Sequence, residues 1–440
     1  MSLLLGIDLG TSYFKVGLFS TDGTLRGLGR VAVSPDSPAP GRFELSASHF
    51  WERLRQGLHE ALREAQARVE DIVGLSYSSQ ANTFLLLDGA GQPLTPLVFW
   101  HDQRARPVDE SLAEFGRASG HGATTGMLGI APERLSAKCR WFARNDPEVW
   151  AKTRWVMTIS DYLMFRLTGS RVGDASTAVL TGLYSLPGRT WWPEALAVLG
   201  LAAESLSVPL TPGTPCGMTG LQAQEALGLP SGIPCAVGAL DHHAAALGSG
   251  LGEGADACLS TGTVLAALVL VDQVVPAPGC IHGPHFDGRR LYRLTFDANG
   301  ARQLEDYQRQ QAPDLDIPAL LDQAEQAYGG GRGVASPHGA AVLAVLLRIA
   351  QAQKRLVDQV SAQGAVRRIT ATGGGARSPF WLQVTADTLG VPVVAVASPE
   401  RACLGAAILG SVAGGIWPDL TTAARHMVKP PREFRPRGGA

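Results

Sequence analysis

The chain is 440 residues long, with 38 Lys plus Arg against 39 Asp plus Glu and a hydrophobic share of 45%. That length holds two or three domains with cores of their own, and the composition is that of an ordinary globular protein rather than a disordered one. The balanced charge excludes the basic field that would recruit nucleic acid or an anionic membrane surface.

The six cysteines, Cys139, Cys216, Cys235, Cys258, Cys280 and Cys403, are scattered without a C-x-x-C pair. They fit reduced core thiols in a cytoplasmic protein and argue against a disulfide frame or a zinc site. Asp8 interrupts the apolar start too early for a signal-peptide core, and no later run reaches the length of a membrane span.

The stretch Leu3 to Ile7 predicts a short buried strand ending on Asp8, then a tight turn over Leu9 to Ser12 and a second strand over Tyr13 to Phe19. Thr21-Asp22-Gly23-Thr24 is a hairpin signal leading into a third strand from about Gly27 to Val33. Phe50, Leu54, Leu58, Ala61, Leu62, Ala65 and Val69 recur at helical spacing, which predicts a helix from about Ser48 to Val69. Two more strands follow, Ile72 to Tyr77 and Phe84 to Leu87. The opening therefore reads β-β-β-α-β, with an acid at the end of its first strand.

The middle, from about Val98 to Pro234, is rich in Gly and Pro and holds four informative patches. Trp100-His101-Asp102-Gln103-Arg104 brings an aromatic ring, an acid and a base together on a loop. Lys138 to Phe142 falls in a helix. Ser160 to Gly169 reads as a helix closed by its glycine. Asp174 to Ala178 is a small polar segment.

The second half repeats the first in outline. Cys235 to Leu240 is an apolar run read as a strand that delivers Asp241, followed by another strand, the turn Ser260-Thr261-Gly262-Thr263 and a strand over Val264 to Leu270. A long helix is expected over Ala340 to Val360 and a strand over Ile369 to Thr372. Gly373 to Gly375 then form a loop before Ser378-Pro379, an N-cap followed by a proline at the first helical position. That helix stops at Gly390 and feeds the strand Val391 to Val396. Glu400 to Ser411 is the last helix expected, with the small residues of a closely packed one, and the basic, proline-rich tail after Val428 is expected as a surface extension.

An acid at the matching place in each half suggests a duplicated fold, with Asp8 and Asp241 facing a cleft. Asp8 alone would read equally as a turn-former beside glycine. Asp241 is harder to dismiss because it ends a wholly apolar run. Neither G-x-x-x-x-G-K-[ST] nor G-x-G-x-x-G occurs, so the usual P-loop and Rossmann fingerprints are absent. Gly373 to Gly375 before a helix suit an anion or a nucleotide, or simply an adaptable loop. His242 and His243, read as strand neighbours, point to opposite faces and cannot both grip one ion. Trp100 stands among polar loop residues, where a ring face can stack on a sugar.

Together these segments resemble the FGGY carbohydrate kinase family, nearest its xylulose-kinase-like members, over nearly the whole chain. Gly6 to Ser12 with Lys15 look like the family's first phosphate loop. Gln80-Ala81-Asn82, the Trp100 loop, Asp161-Tyr162-Leu163, Leu167 to Gly169 and Asp174 to Ser176 look like its sugar-side segments, in order. Gly238 to Asp241 with Gly248, then Ser260 to Thr263, look like its catalytic and second phosphate segments. Gly373 to Gln383, Ala386-Asp387 and Gly405 to Ala407 look like its adenine-side end.

The resemblance implies an α/β, two-lobed, actin-like (ribonuclease H-like) ATPase fold, with duplicated β-β-β-α-β-α cores and a cleft between lobes. It implies a sugar-side lobe over 1–237 and a lobe over 238–440 carrying the catalytic acid and the adenosine site. Carried over, Asp241 is the catalytic base, and Asp8 holds Mg²⁺. Gly10, Thr11, Ser12, Lys15, Thr261, Gly262, Thr263, Gly374, Gly375 and Ser378 take ATP. Gln80, Asn82, Trp100, Asp102 and Asp241 contact the sugar.

The chain departs from xylulose kinases at Ala81 and Asn82, where they carry Met-His, and it is short between Asn299 and Ala340. The activity implied is ATP-dependent phosphorylation of a ketose, D-xylulose first. The alternatives are another ketose or polyol of the same family (fuculose, ribulose, rhamnulose, erythritol) or a non-catalytic sugar sensor. The expected partners are a small-molecule ketose or polyol and, for assembly, a homodimer; neither nucleic acid nor membrane is expected.

Overall fold

Strand Leu3–Leu9 is buried along its whole length and lies inside a mixed sheet. It runs antiparallel to Tyr13–Ser20 and parallel to Ile72–Ser79. The sheet order is Pro215–Met218, Pro234–Ala236, Ile72–Ser79, Leu3–Leu9, Tyr13–Ser20, Leu25–Ala32, with Ala239–Leu240 added to Ile72–Ser79. Cover on both faces explains why the first strand reads as an unbroken apolar run instead of an alternating one. In this computed structural model residues 2–262, 264–298, 300, 302–329, 336–361, 364–398, 400–429 and 432–437 are described.

Helix Ala47–Ala65 covers one face of that sheet. Ser46 caps it by accepting the His49 N–H, and Gln66 closes it in the left-handed conformation. It thus ends short of the expected Val69, which begins a separate turn. The helix lies close on strand Leu25–Ala32 because Gly29 has no side chain; a Cβ there would sit 1.8 Å from the Gly57 carbonyl oxygen.

The other face is covered by helices Asp241–Leu247 and Arg401–Ala413, which cross through small residues. A Cβ at Gly405 would meet the Ala244 carbonyl oxygen at 1.9 Å, and one at Gly248 the Arg401 carbonyl oxygen at 2.1 Å. The glycine- and alanine-rich composition of both segments is therefore a packing requirement.

The chain divides into two compact units. One comprises Met1–Gly248, Val271–Tyr292 and Glu400–Val428, and the other Ser249–Leu270, Arg293–Pro399 and Lys429–Ala440. In the second unit Ala257–Thr261 is antiparallel to Leu265–Val271 and parallel to Ile369–Thr372. That is the pairing scheme of Leu3–Leu9 with its two neighbours, so the repeat expected from the sequence exists in the backbone. Helices Gly339–Val360 and Pro379–Leu389 belong to this unit, the second capped by Ser378 and ended by Gly390 at φ 71°. The short stretch before the long helix carries two helices, Arg302–Gln311 and Ile317–Tyr328.

Three local expectations are corrected. Asp241 opens helix Asp241–Leu247 and does not stand between two strands. The preceding apolar run is broken at Gly238, where a Cβ would lie 2.0 Å from the Tyr77 carbonyl oxygen, and the alanines that follow favour helix. His242 and His243 are accordingly helical, and only His243 is fully buried, stacked on Phe286 at 3.8 Å. Arg401–Ala413 is followed by a further helix, Leu420–Met427, capped by Asp419. Finally, the tail is not a free extension: Arg432–Phe434 pairs antiparallel with Val393–Ala395 and buries Phe434, covering what would be a bare sheet edge. No helix among the described residues is long and apolar enough to cross a membrane.

Candidate active site

Asp8 stands at the end of the central strand of the first unit, 5% exposed. One carboxylate oxygen accepts the Ser78 hydroxyl at 2.9 Å and the other pairs with Lys15 at 3.2 Å. Lys15 is shared: its ammonium also lies 3.1 Å from Glu400, just before helix Arg401–Ala413. Burial opposes the charge on Lys15, but the two carboxylates outweigh it and hold its pKa above the ordinary value. Lys15 was expected on the phosphates; here it bridges two acids. Glu400 and Ser78 had no sequence signal of their own beyond lying at element ends.

The turn after Asp8 is tied to the loop that carries Trp100. The Trp100 indole N–H donates to the Thr11 hydroxyl at 2.9 Å, and Thr11 donates to Gln80 Oε1 at 3.3 Å. Gln80 Nε2 donates to the Gly10 carbonyl at 3.2 Å, while Thr83 donates its hydroxyl to Gln80 Oε1 and accepts the Trp100 backbone N–H. The expected phosphate-loop residues Gly10 and Thr11 and the expected sugar residues Gln80 and Trp100 thus form one hydrogen-bonded group. Ser12 is exposed beside them, and its carbonyl accepts the Val33 N–H.

Asn82 sits in the left-handed region at φ 62°, with its side-chain oxygen taken by the Leu135 N–H. Asp102 is fully buried, and its carboxylate accepts from the Phe43 N–H, the Arg104 N–H and the Arg104 guanidinium. Burial alone would raise its pKa; those donors outweigh it and hold the carboxyl below its usual value. An acid so fully occupied holds its loop in shape and has no exposed face to offer a ligand.

Asp241, half-buried at the first position of its helix, accepts the His242 backbone N–H at 2.7 Å. Burial pushes its carboxyl above the ordinary range; His242 opposes this, and the charge of Asp8 adds to it. The strand before it is fixed from the middle of the chain. The Leu240 N–H donates to the Ser176 hydroxyl, which donates to Asp174, and Tyr77 donates to the same carboxylate. Asp174 and Asp161, singled out as motif residues, are both buried: Asp174 caps its helix by accepting the Thr177 N–H, and Asp161, in the first turn after the Thr158 cap, accepts the Thr158 N–H in return.

In the second unit the turn at Thr261-Gly262 packs on the glycine loop. A Cβ at Gly373 would lie 2.6 Å from the Thr261 carbonyl oxygen, and one at Gly375 2.5 Å from Thr261 Cγ2, while Gly374 faces open space. Gln353 on the long helix donates to the Thr261 hydroxyl at 2.7 Å and accepts from Thr385. Ser378 caps the next helix through the Trp381 N–H. Thr263, also expected on the nucleotide, lies outside the described residues. Bare backbone at a helix entrance is suited to a phosphate or a ribose.

Comparison with known proteins places this geometry in a family. The model of the FGGY carbohydrate kinase N-terminal domain matches residues 3–248, and that of the C-terminal domain matches residues 198–414. The chain is 25% identical to an autoinducer-2 kinase of Enterobacter sp. (strain 638), over 99% of this chain and 91% of that one. It is 28% identical to a glycerol kinase of Thermus brockianus, over 94% and 90%. In fold it matches a xylulose kinase structure from Lactobacillus acidophilus with a TM-score of 0.86 at 22% identity, covering 99% of this chain and 94% of that one. The duplicated sheets are those of the two-domain actin-like ATPase fold, and the chain belongs to the FGGY family of carbohydrate kinases, enzymes that transfer a phosphoryl group to a sugar.

Proposed function

We propose that this chain is an ATP- and Mg²⁺-dependent ketose kinase acting on D-xylulose or a similar pentulose in the cytoplasm. The observation that carries the reading is the relation of Asp241 to Asp8: a carboxyl pushed up by burial and by a second acid close enough to be felt. Such a group is a poised base, readier to accept a proton than an ordinary carboxylate. The six free, buried thiols support a reducing compartment. In functional terms 1–237 would supply the sugar side and the first phosphate loop, and 238–440 the base, the second phosphate turn and the adenosine side.

Among the described residues no three His, Cys, Asp or Glu side chains gather to cage an ion, but the Asp8 carboxylate, beside the Ser78 hydroxyl and Lys15, is the kind of hard oxygen ligand that Mg²⁺ takes together with substrate phosphates. Mg²⁺ held by Asp8 would neutralise charge on the transferring phosphoryl group. The rest falls to the chain's own residues. Asp241 takes the proton of the sugar hydroxyl as its oxygen forms the new bond to the γ-phosphorus. The bond from that phosphorus to the bridging oxygen breaks, and ADP leaves with the electron pair. Gly10, Thr11, Ser12, Thr261, Gly262 and Thr263 would contact the phosphates, with Lys15 adding charge beside the first turn. Gly374, Gly375 and Ser378 would border the adenosine.

For the sugar we assign the Trp100 ring face, the free amide donors of Asn82 and the Gln80 side chain. Asp102 stands behind that loop and holds it. The names of the relatives carry different acceptors, so the pentulose rests on the Trp100-x-Asp102-x-Arg104 loop. A coupled ADP-release assay over ketoses, sugar acids and polyols, run beside Asp241→Ala, tests it. Strong stimulation by a pentulose that the substitution abolishes is the expected result. Stimulation by glycerol or a hexulose instead would replace the substrate, and a flat panel would sink the pentulose in favour of an unusual acceptor or a non-catalytic sugar sensor.

A further inference from the structure

Lys138 lies on helix Leu135–Asn145 and is fully buried, an unusual place for an ammonium group. Its Nζ donates to the backbone carbonyls of Trp100 at 2.7 Å, Phe99 at 2.8 Å and Glu133 at 3.1 Å. An ammonium has three donors, and all three are used on main-chain oxygens. A methionine would fill the same volume without the cost of burying a charge. The cation is therefore worth its place only for what it holds.

What it holds is the loop of Trp100. The backbone of that residue is fixed from both sides, its N–H by the Thr83 hydroxyl and its carbonyl by Lys138, and its indole then reaches Thr11. Thr83 and Thr11 both bond Gln80. Resting on the kinase reading above, we propose that Lys138 is a positioning residue for the acceptor sugar: it clamps the 99–100 backbone so that the Trp100 ring keeps one orientation beside the phosphate turn.

The charged and titratable groups facing it are Asp102 and Glu133, which favour its charge, Arg104, which opposes it, Cys139, and His101, which feels it in turn. Burial pushes the Lys138 pKa down to about 7, while the three carbonyls favour the ammonium. The clamp is thus built at an electrostatic cost that a purely packing role would not require.

The test labels the full-length protein with 5-fluorotryptophan, assigns the Trp100 resonance by Trp100→Phe, and compares wild type with Lys138→Met. The expected result is one sharp Trp100 signal in wild type that broadens or splits in Lys138→Met, with the other tryptophan signals in place. In kinetics, the KM for the sugar should rise about tenfold or more while kcat falls less than about threefold and the KM for ATP holds. Should Lys138→Met fail to fold, the shorter Lys138→Gln, which keeps an amide donor, is read the same way with a smaller change expected. A folded variant whose Trp100 signal and sugar KM are unmoved overturns the clamp, as does broadening shared by all the tryptophans. If wild type phosphorylates no sugar, the kinase reading fails, and the fluorine signal still decides whether Lys138 orients Trp100.

Discussion

Asp8 and Lys15 are direct cross-strand partners in the first hairpin, and Lys15 reaches past Asp8 to Glu400, 3.1 Å away at the entrance to a helix nearly four hundred residues later in the chain. The residue that looks like part of a phosphate loop is thus also a tie between the two ends of the sequence. Lys15→Met should cost about 1–3 kcal/mol in urea unfolding. That is less than a fully buried pair because Lys15 keeps some exposure. Its folded pKa is raised, so this contribution is full below 10.5 and is lost only as the pH rises above that value. Lys15→Met together with Glu400→Gln should be less unstable than Lys15→Met alone. A double variant worse than the single one would count against the tie.

Asp241→Asn should reduce sugar-dependent ADP release by about 10²- to 10⁴-fold, the usual span for loss of a positioned base. Its melting temperature should stay level or rise, because a buried carboxylate is removed. In wild type, activity should fall on acidification at a pH above the ordinary carboxylate value of 3.8, since the base must be ionised. An activity limb at or below that value would remove Asp241 from the role.

Asp161 offers a sign test on stability. Burial first, with Asp174 adding to it, raises its pKa to about 7. An acid whose folded pKa is raised contributes stability that is complete below its unfolded value near 3.8 and is lost as the pH rises to about 7. Asp161→Asn can still accept the Thr158 N–H and should flatten that part of the profile. Equal pH dependence in the two proteins, followed by chemical denaturation, would argue that Asp161 is ionised throughout.

The glycine loop separates neighbours sharply. Gly373→Ala forces a side chain into the left-handed region at φ 84° and onto the Thr261 carbonyl, at a cost of about 1–3 kcal/mol. It should raise the KM for ATP. Gly374→Ala meets nothing within 4 Å and should leave stability within about 0.5 kcal/mol. Any large rise in its ATP KM would then report the nucleotide itself approaching that backbone.

Depletion of divalent cation with EDTA should abolish turnover, and Mg²⁺ should restore it. Asp8→Asn should need at least about tenfold more Mg²⁺ for half-maximal rate. A metal requirement identical to wild type would take Asp8 out of the metal's shell.

The sequence by itself determined the elements with strong periodicity or unambiguous punctuation. Leu3–Leu9, Ala47–Ala65, Gly339–Val360 and the helix between Ser378 and Gly390 follow from apolar spacing, caps and turn residues, which act over a few positions. The duplicated opening and the motif order were legible for the same reason. Tertiary structure alone decided that Asp241 begins a helix, because the break at Gly238 is imposed by Tyr77, far away in sequence. It decided that Asp102 is consumed by Arg104 and Phe43, that the tail pairs with Val393–Ala395, that Glu400 meets Lys15 and that Lys138 bonds the Trp100 carbonyl. These residues act through partners tens or hundreds of positions distant, and no local pattern records which buried charge will meet which carbonyl or carboxylate.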